Sequence, residues 1–201
     1  MNWRKNLLLF VLLVPAFNLL TIQVLPTAIN QLVSKRITQK GLEGAHEPDA
    51  RPEAQRRKAE VIARQGINVA LPSPRANSDA RTVVRPSPDL LYTACVFALS
   101  HGPLHITTPV PDSYSSVSGF GANSNNFFAV NDHNAVTDAT GHKHLDLLLS
   151  RDAATPVPAG ARHIVAPSDR GLILFRTLIT NDTALQELQL DYQMQQHCDP
   201  Q

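Results

Sequence analysis

The sequence is poor in the residues that mark several large classes of protein. Its 201 residues include two cysteines, one tryptophan and only 5% aromatic residues, and no C-x-x-C pair occurs. Two cysteines are too few for a disulfide-dense miniprotein, and without the C-x-x-C spacing the commonest zinc and redox motifs are missing. A formal net charge of +1 gives no basic excess of the kind that attracts phosphate backbones. Nucleic acid is therefore not an expected partner. The 43% of hydrophobic residues predict one globular domain of modest size.

A long uncharged run at the amino terminus is the clearest feature that is present. No charged residue lies between Lys5 and Lys35, and the apolar stretch from Leu7 to Leu25 has 19 positions. As a helix this stretch is roughly 28 Å long, close to the ~30 Å hydrocarbon thickness of a bilayer. It predicts a single transmembrane anchor over residues 1–33, with Trp3 at the interface.

Two alternatives to the anchor stay open. A basic n-region, an apolar h-region and the small-residue site Val14-Pro15-Ala16 are also typical of a cleaved signal peptide, and an apolar helix buried in the domain is the other alternative. Arg4 and Lys5 directly precede the apolar run, which favours an amino terminus inside the cytoplasm. The bulk of the chain would then lie on the periplasmic side of a bacterial inner membrane.

Residues 34–66 read as a polar linker between the anchor and the domain. They carry eight basic and five acidic residues, a net charge of +3, together with Pro48 and Pro52. A short helix from Pro52 to Arg64 fits the pattern. Residues 67–201 carry eight basic and twelve acidic residues and form the folded domain.

Strand-length apolar or alternating runs, separated by turn-forming residues, fill this domain. They are Thr82–Arg85, Leu91–Leu99, Leu104–Thr108, Ser115–Phe120, Phe127–Asn131, Leu145–Leu149, His163–Ala166 and Gly171–Ile179. Only the last stretch changes period: after Asn181 or Asp182, a helix would place Leu185, Leu188, Tyr192 and Gln195 on one face. The expected fold is mainly β: an antiparallel sandwich or barrel-like domain with one carboxy-terminal helix, preceded by a single amino-terminal transmembrane helix.

Four blocks of residues in this domain occur in an order that resembles a known bacterial family. They are Arg85-Pro86-Ser87-Pro88-Asp89-Leu90-Leu91-Tyr92-Thr93, Leu99-Ser100-His101-Gly102-Pro103-Leu104, Val110-Pro111-Asp112-Ser113-Tyr114 and Leu174-Phe175-Arg176-Thr177-Leu178-Ile179. The order is similar to that of domain of unknown function family 1254, over roughly residues 80–196. The resemblance implies a β-sandwich-like, membrane-attached protein. It also implies a companion envelope protein that carries domain of unknown function family 1214. The family has no agreed activity, so the resemblance implies no catalytic residue and no cofactor.

Chemistry-bearing residues are sparse. His142 and His144, two apart on a strand, are weak metal candidates, and an exposed hairpin face is the expected reading of them. Arg176 interrupts an apolar strand, and a buried guanidinium needs a partner, for which Asp89 and Asp132 are the candidates. With Tyr92 and Asn131 these residues form a candidate polar pocket: Asp89, Tyr92, Asn131, Asp132 and Arg176. The alternative is a surface arginine or a structural ion pair.

Cys95 and Cys198 are the two cysteines of the chain. In an oxidising compartment outside the cytoplasm they are expected to form a disulfide. A buried thiol and a frayed terminal thiol are the alternative.

Two classes of function compete. The first, which the sequence favours, is a membrane-anchored extracytoplasmic interaction or envelope-associated module without its own catalysis. The second is an envelope enzyme or a binding protein for a carbohydrate or small polar ligand.

Overall fold

The computed structural model describes residues 3–47, 52–76, 86–180 and 182–201. Within these residues the chain forms three α-helices and ten β-strands. In chain order they are α1 (Trp3–Ala45), α2 (Pro52–Ala63), β1 (Leu71–Pro72), β2 (Leu90–Ala98), β3 (Leu104–Pro109), β4 (Ser115–Gly121), β5 (Asn126–Asn131), β6 (Val136–Thr137), β7 (Lys143–Ser150), β8 (Arg162–Val165), β9 (Arg170–Leu178), α3 (Thr183–Met194) and β10 (His197–Pro200). The expected strand Thr82–Arg85 lies outside the described residues.

The strands form two sheets that pack face to face. The first sheet has the order β1-β2-β9-β4-β5 and is antiparallel throughout. The second has the order β10-β3-β7-β6, also antiparallel, and the short strand β8 runs parallel to the end of β7. The prediction of an antiparallel, sandwich-like domain with a carboxy-terminal helix is confirmed.

Alternation along the strands creates the core between the sheets. Odd-numbered residues of β2, such as Cys95 and Phe97, point into it, and each of these two side chains is fully buried. Phe175 of β9 and Leu147 of β7 meet them from the neighbouring strand and the opposite sheet. A side chain at Gly171 has no room, because its Cβ would lie 2.1 Å from a backbone carbonyl oxygen of β4.

The cysteine pair joins the two sheets through this core. Cys95 in β2 is bonded to Cys198 in β10, and the two residues are 103 positions apart in sequence. Each is at most 1% exposed. The bond fixes the last strand of the chain to the first long strand of the domain, as expected for an oxidising compartment.

Helices α1 and α2 cover the outer face of the first sheet, a finding that differs from the expected linker over residues 34–66. α1 continues unbroken to Ala45, and residues 52–63 form the expected short helix. Their buried side chains join a second apolar cluster on the outside of β1 and β2: Ile37, Ala45, Val61, Val69, Leu71, Ala94 and Val96. The segment is polar in composition, but one apolar stripe is enough to hold a helix on a sheet.

The amino-terminal part of α1 extends away from the domain. Large apolar side chains from Leu7 to Leu25 are about half exposed or more. By length and composition this part of the helix is able to cross a membrane, as an anchor or as a signal segment. With the disulfide, it indicates an extracytoplasmic location.

Helix α3 buries glutamine side chains, whereas an apolar face was expected. Leu188 is 42% exposed, while Gln189 and Gln193 are 3% and 5% exposed. The Gln189 amide donates to the Leu178 carbonyl at 2.7 Å, and the Gln193 amide donates to the Tyr92 carbonyl at 2.8 Å. Each carbonyl oxygen also accepts a second hydrogen bond, from the Ser113 hydroxyl to Leu178 and from the Ser73 amide to Tyr92, so the glutamines add to pairing that is already present.

Two arginines in and just after α2 hold the last strand, β10, and the residues before it. Arg57 of α2 donates to the carbonyl oxygens of Ala70 (3.3 Å), Gln196 (2.8 Å) and Met194. Arg64, just after α2, forms an ion pair with Asp199 at 2.6 Å. Residues 34–66 were expected to lie outside the folded domain, yet two of their arginines bind its last strand and the residues just before it.

Candidate functional site on the outer face of the first sheet

Three of the predicted pocket residues lie in one row across the first sheet. Tyr92 is the cross-strand partner of Arg176, Arg176 is the partner of Ser116, and Ser116 is the partner of Asn131. Even-numbered residues of β2, β4 and β9 face away from the sandwich core at these positions, so the row lies on the outer face. We call these four residues the polar row.

Arg176 is the cation of the polar row, and its guanidinium is incompletely paired. Nη2 donates to the Ser118 hydroxyl at 3.0 Å, whereas Nε is buried without a hydrogen-bond partner. Ser116 is 4% exposed, and its Oγ is also buried without a partner. Buried polar atoms of this kind are rare and are often satisfied by a water or a bound group. The polar row can therefore donate hydrogen bonds to an anion or a hydroxylated molecule.

The expected carboxylate partner of Arg176 is not found among the described residues. Asp89 is exposed and precedes β2, and its carbonyl oxygen accepts a hydrogen bond from the Ile179 amide. Asp132 follows Asn131, which is separated from Arg176 by β4, a distance of roughly 10 Å across two strand spacings. The structure therefore brings Tyr92, Asn131 and Arg176 into one row and leaves Asp89 and Asp132 unpaired with the guanidinium. Sheet order separates Asp132 from Arg176, since β4 lies between β5 and β9, whereas Asp89 lies beyond the start of β2, beside Ile179.

Asp132 has a separate environment. It begins a short 3₁₀ turn capped by Asn131, and its Oδ1 is buried without a partner. Its Oδ2 lies 3.8 Å from Nε2 of the exposed His133.

The weak metal candidates lie apart from any ligand cluster. His142 is exposed, and its Nδ1 lies 2.7 Å from the Thr140 hydroxyl. The hydrogen bond from Thr140 holds the pKa of Asp138 below its usual value. His144 is half-buried in β7. Among the described residues no group of three His, Cys, Asp or Glu side chains is placed to hold a metal ion.

Sequence reasoning missed a second polar region, on the outer face of the second sheet. Nε2 of His105 in β3 lies 2.6 Å from the Asp146 carboxylate in β7. In β10, Nδ1 of His197 lies 3.5 Å from the Asp199 carboxylate. The hydrogen bond from His197 and the ion pair with Arg64 lower the pKa of Asp199 to about 2. Alternating His and Asp in His197-Cys198-Asp199 was the available signal, but β10 was not predicted as a strand.

A small cavity lies between the first and second sheets near the ends of β5 and β7. Its volume is about 40 Å³, and its lining includes Val130, Leu145, Leu147 and Arg162. A cavity of this size holds water rather than a metabolite. The polar row does not line this cavity, and its unpaired groups, Nε of Arg176 and Oγ of Ser116, are buried on the outer face of the first sheet.

Comparison with known proteins gives a family but no activity. Residues 67–200 match the family described as "Protein of unknown function (DUF1254)". No curated protein matches the chain.

Solved structures that are similar to the chain include proteins from two organisms. The VPA0106 protein from Vibrio parahaemolyticus shares 14% sequence identity at a TM-score of 0.50, over 87% of this chain and 37% of that one. An uncharacterized protein from Burkholderia cenocepacia shares 20% identity at a TM-score of 0.46, over 61% of this chain and 34% of that one. This chain spans about a third of the length of each. The likeness to the Vibrio protein supports the fold alone. The match over residues 67–200 confirms the resemblance carried by the four sequence blocks, and the chain belongs to the DUF1254 family.

Proposed function

We propose that this protein is a single-pass inner-membrane protein of the bacterial envelope, whose periplasmic domain works as an interaction module without catalysis of its own. One observation supports this most directly. The same continuous helix α1 is exposed and apolar over residues 7–25 and packs on the domain through Val33, Ile37 and Leu42. The domain is thus joined to the apolar segment without a linker.

The polar row supports a module rather than an enzyme. Arg176, Tyr92, Ser116 and Asn131 supply hydrogen-bond donors and acceptors, but the row holds no imidazole or carboxylate to activate the Ser116 hydroxyl. The row is suited to recognition of a polar group, and catalysis would need a base from elsewhere.

Membrane topology and retention of α1 are tested first. An alkaline phosphatase fusion after residue 66 is expected to be active, because the residues after α1 would be exported. The mature chain from membranes is expected to retain the apolar segment, so that peptides covering residues 7–25 are found by mass spectrometry. A silent fusion contradicts the orientation, and a shorter mature chain shows that the apolar segment is a cleaved signal.

Interaction is tested by photocrosslinking in intact membranes. Leu188 and Leu190 of α3 are 42% and 48% exposed, which makes them suitable positions for a photoreactive side chain. A discrete adduct from these positions, with a weaker one from the exposed polar neighbour Asp191, is the expected result. A companion protein with the family 1214 domain is the proposed partner on the family resemblance. Recovery of unmodified monomer from every position would contradict the module.

The unpaired donors of Arg176 favour a second candidate function, an envelope enzyme or binding protein for a carbohydrate or small polar ligand. Pools of carboxylated sugars and sugar phosphates would raise the melting temperature of the full chain in detergent. The increase should be lost in Arg176→Gln and kept in the control Arg162→Gln, which alters an exposed arginine of β8. No increase with the unmodified protein counts against a ligand site.

A further inference from the structure

The turn between β4 and β5 touches α1 where the apolar run ends. Nδ2 of Asn30 donates to the Gly121 carbonyl at 3.1 Å, and the Ser124 hydroxyl donates to the Pro26 carbonyl at 3.1 Å. Pro26 follows Leu25, the last residue of the apolar run. The turn is therefore fixed to the helix within about one turn of the end of the membrane-spanning segment.

This attachment sets the height of the turn relative to a bilayer. A 19-residue helix of roughly 28 Å fills the ~30 Å hydrocarbon layer, and residues 26–30 then rise roughly 2 to 8 Å above it. The polar headgroup region extends roughly 5 to 8 Å beyond the hydrocarbon on each side. The β4–β5 turn thus lies at headgroup depth when α1 spans the membrane.

The chemistry of this end of the domain suits a headgroup layer. Asn123, Ser124 and Asn125 are exposed, uncharged and able to form hydrogen bonds. Beside them, Gly121 pairs in register with Gly171, which places the exposed Arg170 at the edge of the turn.

Arg170 is a cation at this end of the domain. The neighbouring Asp169 is engaged by Arg151, whose Nε lies 2.9 Å from the carboxylate. Among the described residues Arg170 has no ion-pair partner.

We propose that the β4–β5 turn and Arg170 form a lipid-headgroup contact surface. The turn side chains hydrogen-bond within the headgroup layer, and Arg170 binds the phosphate of an anionic phospholipid. The surface rests on the proposed anchoring by α1, and it holds the domain with this end toward the membrane.

Tryptophan quenching in vesicles tests the surface on the full chain. The single tryptophan is first removed by Trp3→Phe. A new tryptophan is then introduced by Asn125→Trp in the β4–β5 turn or, as the matched control, by Ala139→Trp in the exposed β6–β7 turn. The control turn lies at the opposite end of the domain. β5 runs away from the β4–β5 turn for six residues, roughly 20 Å, before the 3₁₀ turn at Asp132 leads to β6. The vesicles contain phosphatidylcholine and phosphatidylglycerol, with a nitroxide on the headgroup of a fraction of the lipids.

The expected result is at least twofold stronger quenching for Asn125→Trp than for Ala139→Trp. In the Asn125→Trp protein, Arg170→Gln should abolish the extra quenching that phosphatidylglycerol causes over phosphatidylcholine alone, and Arg162→Gln should leave it unchanged. Equal quenching of the two tryptophans in protein that floats with the vesicles would overturn the proposal. Equal effects of the two arginine variants would overturn the role of Arg170. Protein that fails to float with vesicles would instead contradict the anchoring itself, so the two failures are distinguishable.

Discussion

Loss of the Cys95–Cys198 bond is expected to lower the free energy of unfolding by about 4.7 kcal/mol. The two cysteines are 103 positions apart. Closing a loop of about that length in the unfolded chain corresponds to about 4.7 kcal/mol at 25 °C in the chain-entropy description. That is a large part of the roughly 5 to 15 kcal/mol that holds a typical domain folded. Both residues are buried, so replacing them with alanine adds a cavity term to this loss.

The assay is urea unfolding of the full chain in detergent, followed by circular dichroism of the strands. With a denaturant slope of about 2 kcal/mol/M, reduction is expected to move the midpoint down by roughly 2 M. The slope itself should rise, because the uncrosslinked unfolded chain exposes more surface. Comparing oxidised with reduced wild type avoids the cavity term, and the Cys95→Ala/Cys198→Ala variant should lose at least as much. A midpoint that moves by less than about 0.5 M, with thiols confirmed as reduced by mass tagging, would refute the loop-closure reasoning.

Two further predictions concern stability. Gly171→Ala is expected to destabilise the domain by about 3 kcal/mol or more, since a Cβ would meet a carbonyl oxygen 2.1 Å away. The control Gly44→Ala in α1 should be neutral or stabilising, because a Cβ there meets nothing within 4 Å. Equal decreases in the melting temperature of the two variants would contradict this prediction. The pKa of Asp199, held at about 2 by His197 and Arg64, predicts stability that is present above about pH 4 and lost as the pH falls toward 2. Asp199→Asn should remove this pH-dependent stability, which is about 1 kcal/mol of unfolding free energy once solvent screening of a side chain 39% exposed is allowed for. An unchanged loss of stability between pH 4 and pH 2 would contradict the ion pair of Asp199 with Arg64.

Most of the sandwich follows from local sequence. Turn residues separate the apolar runs, and seven of the eight predicted strands lie at their predicted places, within a few residues at each end. The strands that were missed, β1, β6 and β10, have two, two and four residues. Runs that short have no period of their own, and they form because a neighbouring strand offers a free edge.

The environment of Arg176 could be predicted only in part. An arginine in an apolar strand indicates a polar partner, and that much is local. Which partner it meets depends on β9 pairing with β4, a strand nearly 60 residues earlier, so that Ser116 and Ser118 lie beside it. The side chains next to an arginine depend on the order of strands in the sheet, and the sequence of one strand does not determine that order.

The packing of α1 and α2 on the first sheet was not predicted, because residues 34–66 are mostly polar and only a narrow apolar stripe faces the sheet. Residues 34–66 are charged enough to read as solvated, yet Ile37, Ala45 and Val61 recur at positions that face the sheet. In α3 the prediction from apolar spacing placed Leu188 on the buried face. Instead Gln189 and Gln193 are buried, because their amides bind backbone carbonyl groups, and Leu188 is exposed.

Attachment of β10 delays closure of the domain until a late segment of the chain has been made. A ribosome makes the chain from its amino terminus, so β10 leaves it after the other nine strands described above. Until then Arg57 and Arg64 lack the carbonyl and carboxylate groups that they bind at the terminus, and Cys95 has no thiol to pair with. A chain without residues 194–201 would have an unpaired edge on β3 and a free thiol at Cys95. Loss of the β10 segment would thus be detectable chemically, as a thiol at Cys95 that can be alkylated after unfolding without a reductant.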